Sequence, residues 1–203
     1  MDTVGAVLFE GFELLDLFGP LEAFGHLAHS GKCRIITVAE RAGAVASAQG
    51  PQAVADYDFI NCPNVQMLLV PGGIGTRREV ENEKLIDFLR SRSAQADLVM
   101  SVCTGAGLLA RAGLLDGRRA TTNKQVFEWP VSQGPRVNWI RQARWVEDGK
   151  FVTSSGISAG IDMALAMIGQ RYGEEIAEAI AAAMEYEWHR DPLRDPFAQI
   201  APR

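Results

Sequence analysis

The stretch from Ala96 to Gly113, A-D-L-V-M-S-V-C-T-G-A-G-L-L-A-R-A-G, constrains the fold more than any other part of this 203-residue chain. Leu98 to Val102 is short and almost wholly apolar, as expected of a strand buried on both faces. Small and helix-favouring residues follow from Gly105 to Ala112, and Gly113 stands where a helix ends in a left-handed glycine. The strand therefore passes into the helix with almost no loop, and Cys103 occupies the corner. That is the geometry of a nucleophile elbow, where the side chain is lifted off the sheet edge and its neighbours must be small. Ser101 and Gly105, two residues to either side, meet the requirement. A helix N-terminus behind the sulfur is expected to lower the thiol pKa toward the reactive thiolate. The stretch alone equally fits a small buried cysteine that only packs, so the rest of the chain must decide.

The flanking sequence repeats the strand-then-helix theme. Val4–Phe9 reads as a buried first strand, followed by a turn and a helix from Pro20, a favoured first-turn residue, to about His29. Asp16 then falls in the turn before the helix, between Leu15 and Leu17. It is either a capping aspartate or a partly desolvated acid with a raised pKa and a useful proton, and the apolar flanks favour the second. Cys33–Ala39 and Val65–Val70 read as further strands, with a glycine- and alanine-rich hairpin or excursion between Gly43 and Asp58. Pro71-Gly72-Gly73 ends the Val65–Val70 strand with a turn able to present free backbone N–H groups, or with a plain tight turn. A helix is expected over Glu83–Ala94. Beyond the elbow, short strands are expected at Arg118–Thr122, Val137–Ile140, Ala143–Glu147 and Lys150–Thr153, with an Asp-Gly hairpin turn between the last two. Ser158 is placed as the N-cap of a helix from Ala159 to Arg171, and a second helix is expected over Glu174–Trp188. The tail from His189 is expected to wrap the surface.

Strands alternating with helices imply right-handed crossovers and an α/β fold, a doubly wound, mostly parallel sheet with helices on both faces. In such a sheet, whatever directly follows a strand emerges at the carboxyl edge, where ligands bind. Asp16, Gly72-Gly73, Cys103 and Ser158 all follow strands. An acid, a donor turn, a thiol and a second helix start thus share one rim, and this convergence favours the catalytic reading of Cys103.

These residues resemble the ThiJ/PfpI superfamily, a flavodoxin-like branch of the class I glutamine amidotransferase-like folds. The resemblance rests on V-C-T-G-A-G-L-L-A-R-A-G-L-L-D-G-R-R-A-T-T, L-L-D-L-F-G-P-L-E-A-F, L-L-V-P-G-G and S-S-G-I-S-A-G-I-D-M-A-L-A, and spans roughly the whole chain. An aspartate in L-L-D-L-x-G-P and a threonine after the cysteine are similar to the isocyanide hydratase branch. The resemblance implies Cys103 as nucleophile and Asp16 as the acid near its sulfur. It also implies Gly72, Gly73 and Thr104 as contributors to an oxyanion pocket, and a homodimer. Protease-like members carry histidine where this chain has Thr104, which argues against peptidase activity. Related hydratases often show T-T-H-W where Thr121-Thr122 is followed here by Asn123-Lys124. His26, His29 and His189 lie far from the rim in sequence and are not expected to act as a base.

The function expected is therefore covalent catalysis by Cys103, with Asp16 and Thr104, on a small electrophilic carbon: isonitrile hydration to an N-substituted formamide. Ile157, with Trp129 and Phe127, is a candidate apolar wall, although the two aromatics equally suit the core or an interface. The alternatives are glyoxalase- or deglycase-like action on α-oxoaldehydes, and an oxidation sensor in which Cys103 forms a sulfenate or sulfinate. A ligand-sensing domain of a transcription regulator would need a DNA-binding module, for which no room is expected. A single domain over residues 1–203 is expected. Net charge of −5, with no basic stripe, gives no reason to expect nucleic acid. No apolar run reaches the roughly 18 residues of a membrane span, and no basic leader precedes the first strand, so the cytoplasm is the expected location. Three cysteines without C-x-x-C spacing argue against a disulfide framework and a zinc site. No metal or cofactor is expected.

Overall fold

The computed structural model describes residues 1–199. β1 (Asp2–Val7) leads into α1 (Leu14–His29), and β2 (Cys33–Ala39) into a hairpin of β3 (Gly43–Ala46) and β4 (Gln52–Ala55). β5 (Tyr57–Asp58) and β6 (Met67–Val70) precede a short α2 (Thr76–Glu79) and α3 (Glu83–Gln95). β7 (Leu98–Val102) and α4 (Gly105–Arg111) form the elbow, followed by β8 (Arg119–Ala120), α5 (Glu128–Gln133) and β9 (Asn138–Trp139). β10 (Trp145–Asp148), β11 (Phe151–Ser154), α6 (Ala159–Tyr172) and α7 (Glu174–Ala183) complete the order.

The main sheet runs β10-β11-β7-β6-β1-β2-β5, and β10 alone is antiparallel. β1, β6 and β7 alternate little between polar and apolar because both of their faces are covered, as parallel strands between helix layers require. Packing α1 against α6 needs small residues: a Cβ at Gly19 would come within 2.8 Å of Ile161, and one at Gly160 within 3.2 Å of Pro20 and 2.8 Å of Val102 on β7. Register then places the site. Val70 pairs with Ser101, and Val102 with Ser154, so β6, β7 and β11 end level and their next residues share one rim.

Several strands are shorter than or shifted from the sequence expectation, and two helix boundaries differ by more than a residue. α1 starts at Leu14, so Asp16 sits in its first turn and Pro20 lies inside the helix. Leu17, Leu21, Phe24 and Leu27 form one buried stripe, and burial extends the helix back past the proline. α7 ends at Ala183 because the backbone turns left-handed at Glu185, φ 48°. The tail meets the segment leading into β10, where the Arg144 N–H donates to Pro192 O at 2.8 Å and the Asp195 N–H to Gln142 O at 2.8 Å. The remainder of the tail, 200–203, is outside the described residues. No helix among the described residues is long and apolar enough to cross a membrane.

Candidate active site

Cys103 adopts φ 58°, a left-handed backbone that L side chains rarely take, which turns the chain from β7 into α4 as the sequence predicts. The turn is tight because Gly105 has no side chain: a Cβ there would lie 2.4 Å from Val70 O. Elbow and neighbours are stitched together by the Thr122 hydroxyl, which donates to Cys103 O at 2.7 Å, and by the Cys103 N–H, which reaches Ser154 O at 3.2 Å. The structure brings Asp16, Gly72, Thr104 and Cys103 into one cluster. Cys103 is 5% exposed and Asp16 is fully buried.

The state of the two titrating groups follows from that burial. Asp16 Oδ2 accepts the Gly72 N–H at 3.0 Å, while Oδ1 is buried without a hydrogen-bond partner. Burial pushes the Asp16 carboxyl well above the usual carboxylate range; the charge of Glu13 adds to the push and the Gly72 N–H opposes it. An ionised carboxylate with so little hydrogen bonding in a buried site is costly, which favours the protonated acid; the Cys103 thiol beside it is its side-chain partner and works against that push. The thiol moves the other way from the sequence expectation. Burial, joined by the negative charge of Asp16 whenever that carboxyl is ionised, pushes the Cys103 thiol well above its ordinary value. The Asn123 and Thr104 donors work against that push.

The glycine turn needs a correction. The turn could present free N–H groups, and the resemblance implied an oxyanion role for Gly72 and Gly73, yet both N–H groups are engaged: Gly72 donates to Asp16 Oδ2 at 3.0 Å, and Gly73 to Thr104 Oγ1 at 3.0 Å. Those two hydrogen bonds tie the glycine turn to the acid and to the elbow. The Thr104 hydroxyl likewise faces the glycine turn, and what Thr104 offers the sulfur is its main-chain N–H. Ser158 stands at the start of α6, but its side chain makes no capping hydrogen bond. Ser158 and Ile157 line a cleft of about 450 Å³ together with Leu15, Asn123, Gly156 and Phe197. Phe127 belongs to the core, edge-on to Trp139, whereas Trp129 is half-buried against Arg77. No histidine is among the partners of Cys103; His189 accompanies Asp162 and Arg194 in the tail. Cys33 and Cys62 are buried free thiols away from the rim, consistent with a packing role.

Sequence reasoning assigned no role to two residues at the sulfur, Asn123 and Gly156. Asn123 Nδ2 donates to Cys103 Sγ at 3.1 Å, while its Oδ1 accepts the Gln125 and Val126 N–H groups at 2.9 and 3.2 Å. Those two backbone donors decide which end of the amide faces the thiol. Buried Lys124 anchors the segment from below through Thr121 Oγ1, Thr122 O and Ala143 O, and burial lowers its pKa to about 8. Gly156 closes the other side, where a Cβ would lie 2.7 Å from Sγ and 2.5 Å from Asn123 Nδ2. The signal available in the sequence was Asn123 following Thr121-Thr122 and Gly156 following the Ser154-Ser155 strand end. The Asn123→Ala protein is expected to alkylate Cys103 about tenfold more slowly at neutral pH, because a donor to a charged sulfur contributes roughly 1.5 kcal/mol. The pH profile of iodoacetamide labelling should shift upward; an unshifted profile would remove Asn123 from thiolate stabilisation.

Comparison with known proteins identifies the family and the fold. The model of the DJ-1/PfpI family matches residues 3–170. The chain is 37% identical over 164 residues to the isonitrile hydratase of Pseudomonas putida, covering 81% of this chain and 69% of that protein. It is 32% identical over 171 residues to the HTH-type transcriptional regulator GbdR of Pseudomonas aeruginosa, covering 83% of this chain and 46% of the regulator. Among solved structures it is similar to a ThiJ/PfpI family protein from Pseudomonas syringae, with a TM-score of 0.84 and 30% identity over 92% of this chain and 75% of that one.

Proposed function

The chain belongs to the DJ-1/PfpI family, and from that premise we propose that it is a cysteine-dependent hydratase of small isonitriles. The observation that carries the reading is a fully buried carboxyl group, its pKa raised by burial, beside a thiol with no histidine at the sulfur. An isonitrile must gain a proton and a nucleophile on the same terminal carbon, and adjacent Asp16 and Cys103 can supply both to one atom. Turnover of an α-oxoaldehyde to a hydroxy acid instead needs a base that moves a proton between neighbouring carbons. Similarity to an isonitrile hydratase points the same way.

In the first step, sulfur bonds to the terminal carbon as the Asp16 carboxyl proton moves to that carbon. The carboxylate left behind takes the thiol proton, and a thioimidate results. Water then adds to the thioimidate carbon, a proton moves to nitrogen, the S–C bond breaks, and the formamide leaves with the thiol restored. The Asn123 Nδ2–H and Thr104 N–H hold the sulfur while it carries charge, the kind of fixed dipole that contributes most in a water-poor site. The cleft lined by Ile157 and Leu15 would hold the apolar part of the substrate.

The test is proton NMR of the native protein with an alkyl isonitrile, followed for the formyl proton, beside a parallel sample with methylglyoxal. Formamide formation is expected and methylglyoxal should persist; the reverse would replace the hydratase by an α-oxoaldehyde enzyme. The regulator relative supports a second reading, in which the same rim binds a ligand without turning it over. Saturable isonitrile binding with no formamide would select that reading.

A further inference from the structure

Arg77 stands out among the cations of this chain. It is half-buried on α2, and its guanidinium carbon lies 4.0 Å from the centroid of the Trp129 ring. Its one hydrogen bond among the described residues runs from Nη1 to Thr76 Oγ1 at 3.1 Å, and it has no carboxylate partner there. Arg78, next in the chain, is paired with Glu79. Arg92 and Lys150, which are also half-buried and lack a carboxylate, donate instead to main-chain carbonyls. A guanidinium carries five N–H donors arranged to match a carboxylate. Arg77 leaves four of them without a protein acceptor among the described residues, on a chain with 25 acidic residues that could have supplied one.

The cation is tied to the elbow from two sides. Thr76 Oγ1 lies 3.2 Å from Thr104 Oγ1, so two contacts separate the guanidinium from the residue after Cys103. Trp129 rests on α4 at Gly107, where a Cβ would come within 3.0 Å of the ring. Gly107 is four residues past Cys103, about one helical turn along. Arg77 is also close enough to be influenced by charge on the sulfur. The flat Trp129 ring fixes the guanidinium plane without using any N–H group.

We propose that Arg77, oriented by Trp129 and Thr76, is an anion subsite of the Cys103 centre, and that the electrophile it receives carries a carboxylate. On the hydratase reading, from which the nature of the electrophile is taken, the substrate class is a small isonitrile bearing a carboxylate. The anion subsite itself does not depend on isonitrile turnover.

A pair of reagents of nearly equal size separates the two questions. Iodoacetate and iodoacetamide both alkylate a thiolate: sulfur bonds to the methylene carbon as the C–I bond breaks and iodide leaves. They differ in that only the first is an anion. The rate ratio of iodoacetate to iodoacetamide at Cys103, read by peptide mass spectrometry, is expected to be about tenfold higher in the native protein than in Arg77→Met. Arg77→Lys should keep part of that preference. A ratio unchanged by Arg77→Met overturns the subsite, because a merely structural role would slow both reagents alike.

The hydratase arm compares isocyanoacetate with its methyl ester as substrates, and the native protein should favour the anion through a lower KM. An Arg77-dependent alkylation ratio with neither isonitrile turned over would keep the subsite and remove the hydratase. Turnover of the ester with an Arg77-independent ratio would do the opposite.

Discussion

With Cys103→Ala no formamide above the uncatalysed background is expected, whereas Asp16→Asn should retain a trace, lower by about 10²- to 10⁴-fold, and yet melt at a higher temperature than the native protein. The two substitutions separate nucleophile from acid. The stability gain follows from burial. The carboxyl of Asp16 has one oxygen satisfied by Gly72 and one without a partner, and its folded pKa is raised above the unfolded value of about 3.9. Between those two values the folded protein holds a proton that the unfolded chain has released, so native stability falls as pH rises through the window. The amide has no charge to desolvate and can still accept the Gly72 N–H. The advantage of Asp16→Asn should therefore be small near pH 4 and widen toward neutral pH, at about 2–4 °C of melting temperature per kcal/mol. A neutral-pH Asp16→Asn protein less stable than native would mean that the carboxylate is ionised and held, and the general-acid role would fall with it. Native turnover should likewise decline as pH rises past the raised Asp16 pKa.

Gly73→Ala is expected to destabilise the protein by roughly 3 kcal/mol or more, from left-handed strain and overpacking together. Gly73 has φ +119°, and a Cβ there would lie 2.5 Å from both Glu13 N and Gly11 O. Those atoms are main chain, so no side chain can rotate aside, and the loop that starts α1 would have to move. Asp16 rides on that first turn, and turnover should fall along with stability. Gly25→Ala is the control, since nothing lies within 4 Å of a Cβ at that position inside α1. It is expected to stabilise by roughly 0.5–1 kcal/mol. Urea denaturation of both proteins checks the pair, and equal shifts would refute the steric account of the glycine turn.

Where sequence reading succeeded, the signal was local. A five-residue, almost wholly apolar run, a cysteine and a string of small residues admit few backbones, and β7, the elbow and α4 follow that expectation. Where it fell short, a distant part of the chain intervened. Pro20 looks like a helix start until the buried stripe from Leu17 to Leu27 draws the helix back to Leu14. Gly72 and Gly73 look like open donors until Asp16, 56 residues away, and Thr104, 31 residues away, accept their protons.

The sequence by itself determined a parallel α/β sheet with a cysteine at an elbow and an acid on the same rim, because strand period, glycine position and crossover handedness are local or topological properties. Only the tertiary structure decided that burial pushes the Asp16 carboxyl up, that the Cys103 thiol is pushed up rather than down, and that Asn123 is its donor. The same holds for Arg77, whose open N–H groups are visible only once its neighbours are in place. Protonation and hydrogen bonding depend on how much water is removed and on which groups lie within a few ångströms. Those quantities arise when β1, β6, β7 and β11 end level and bring residues far apart in the chain against one sulfur.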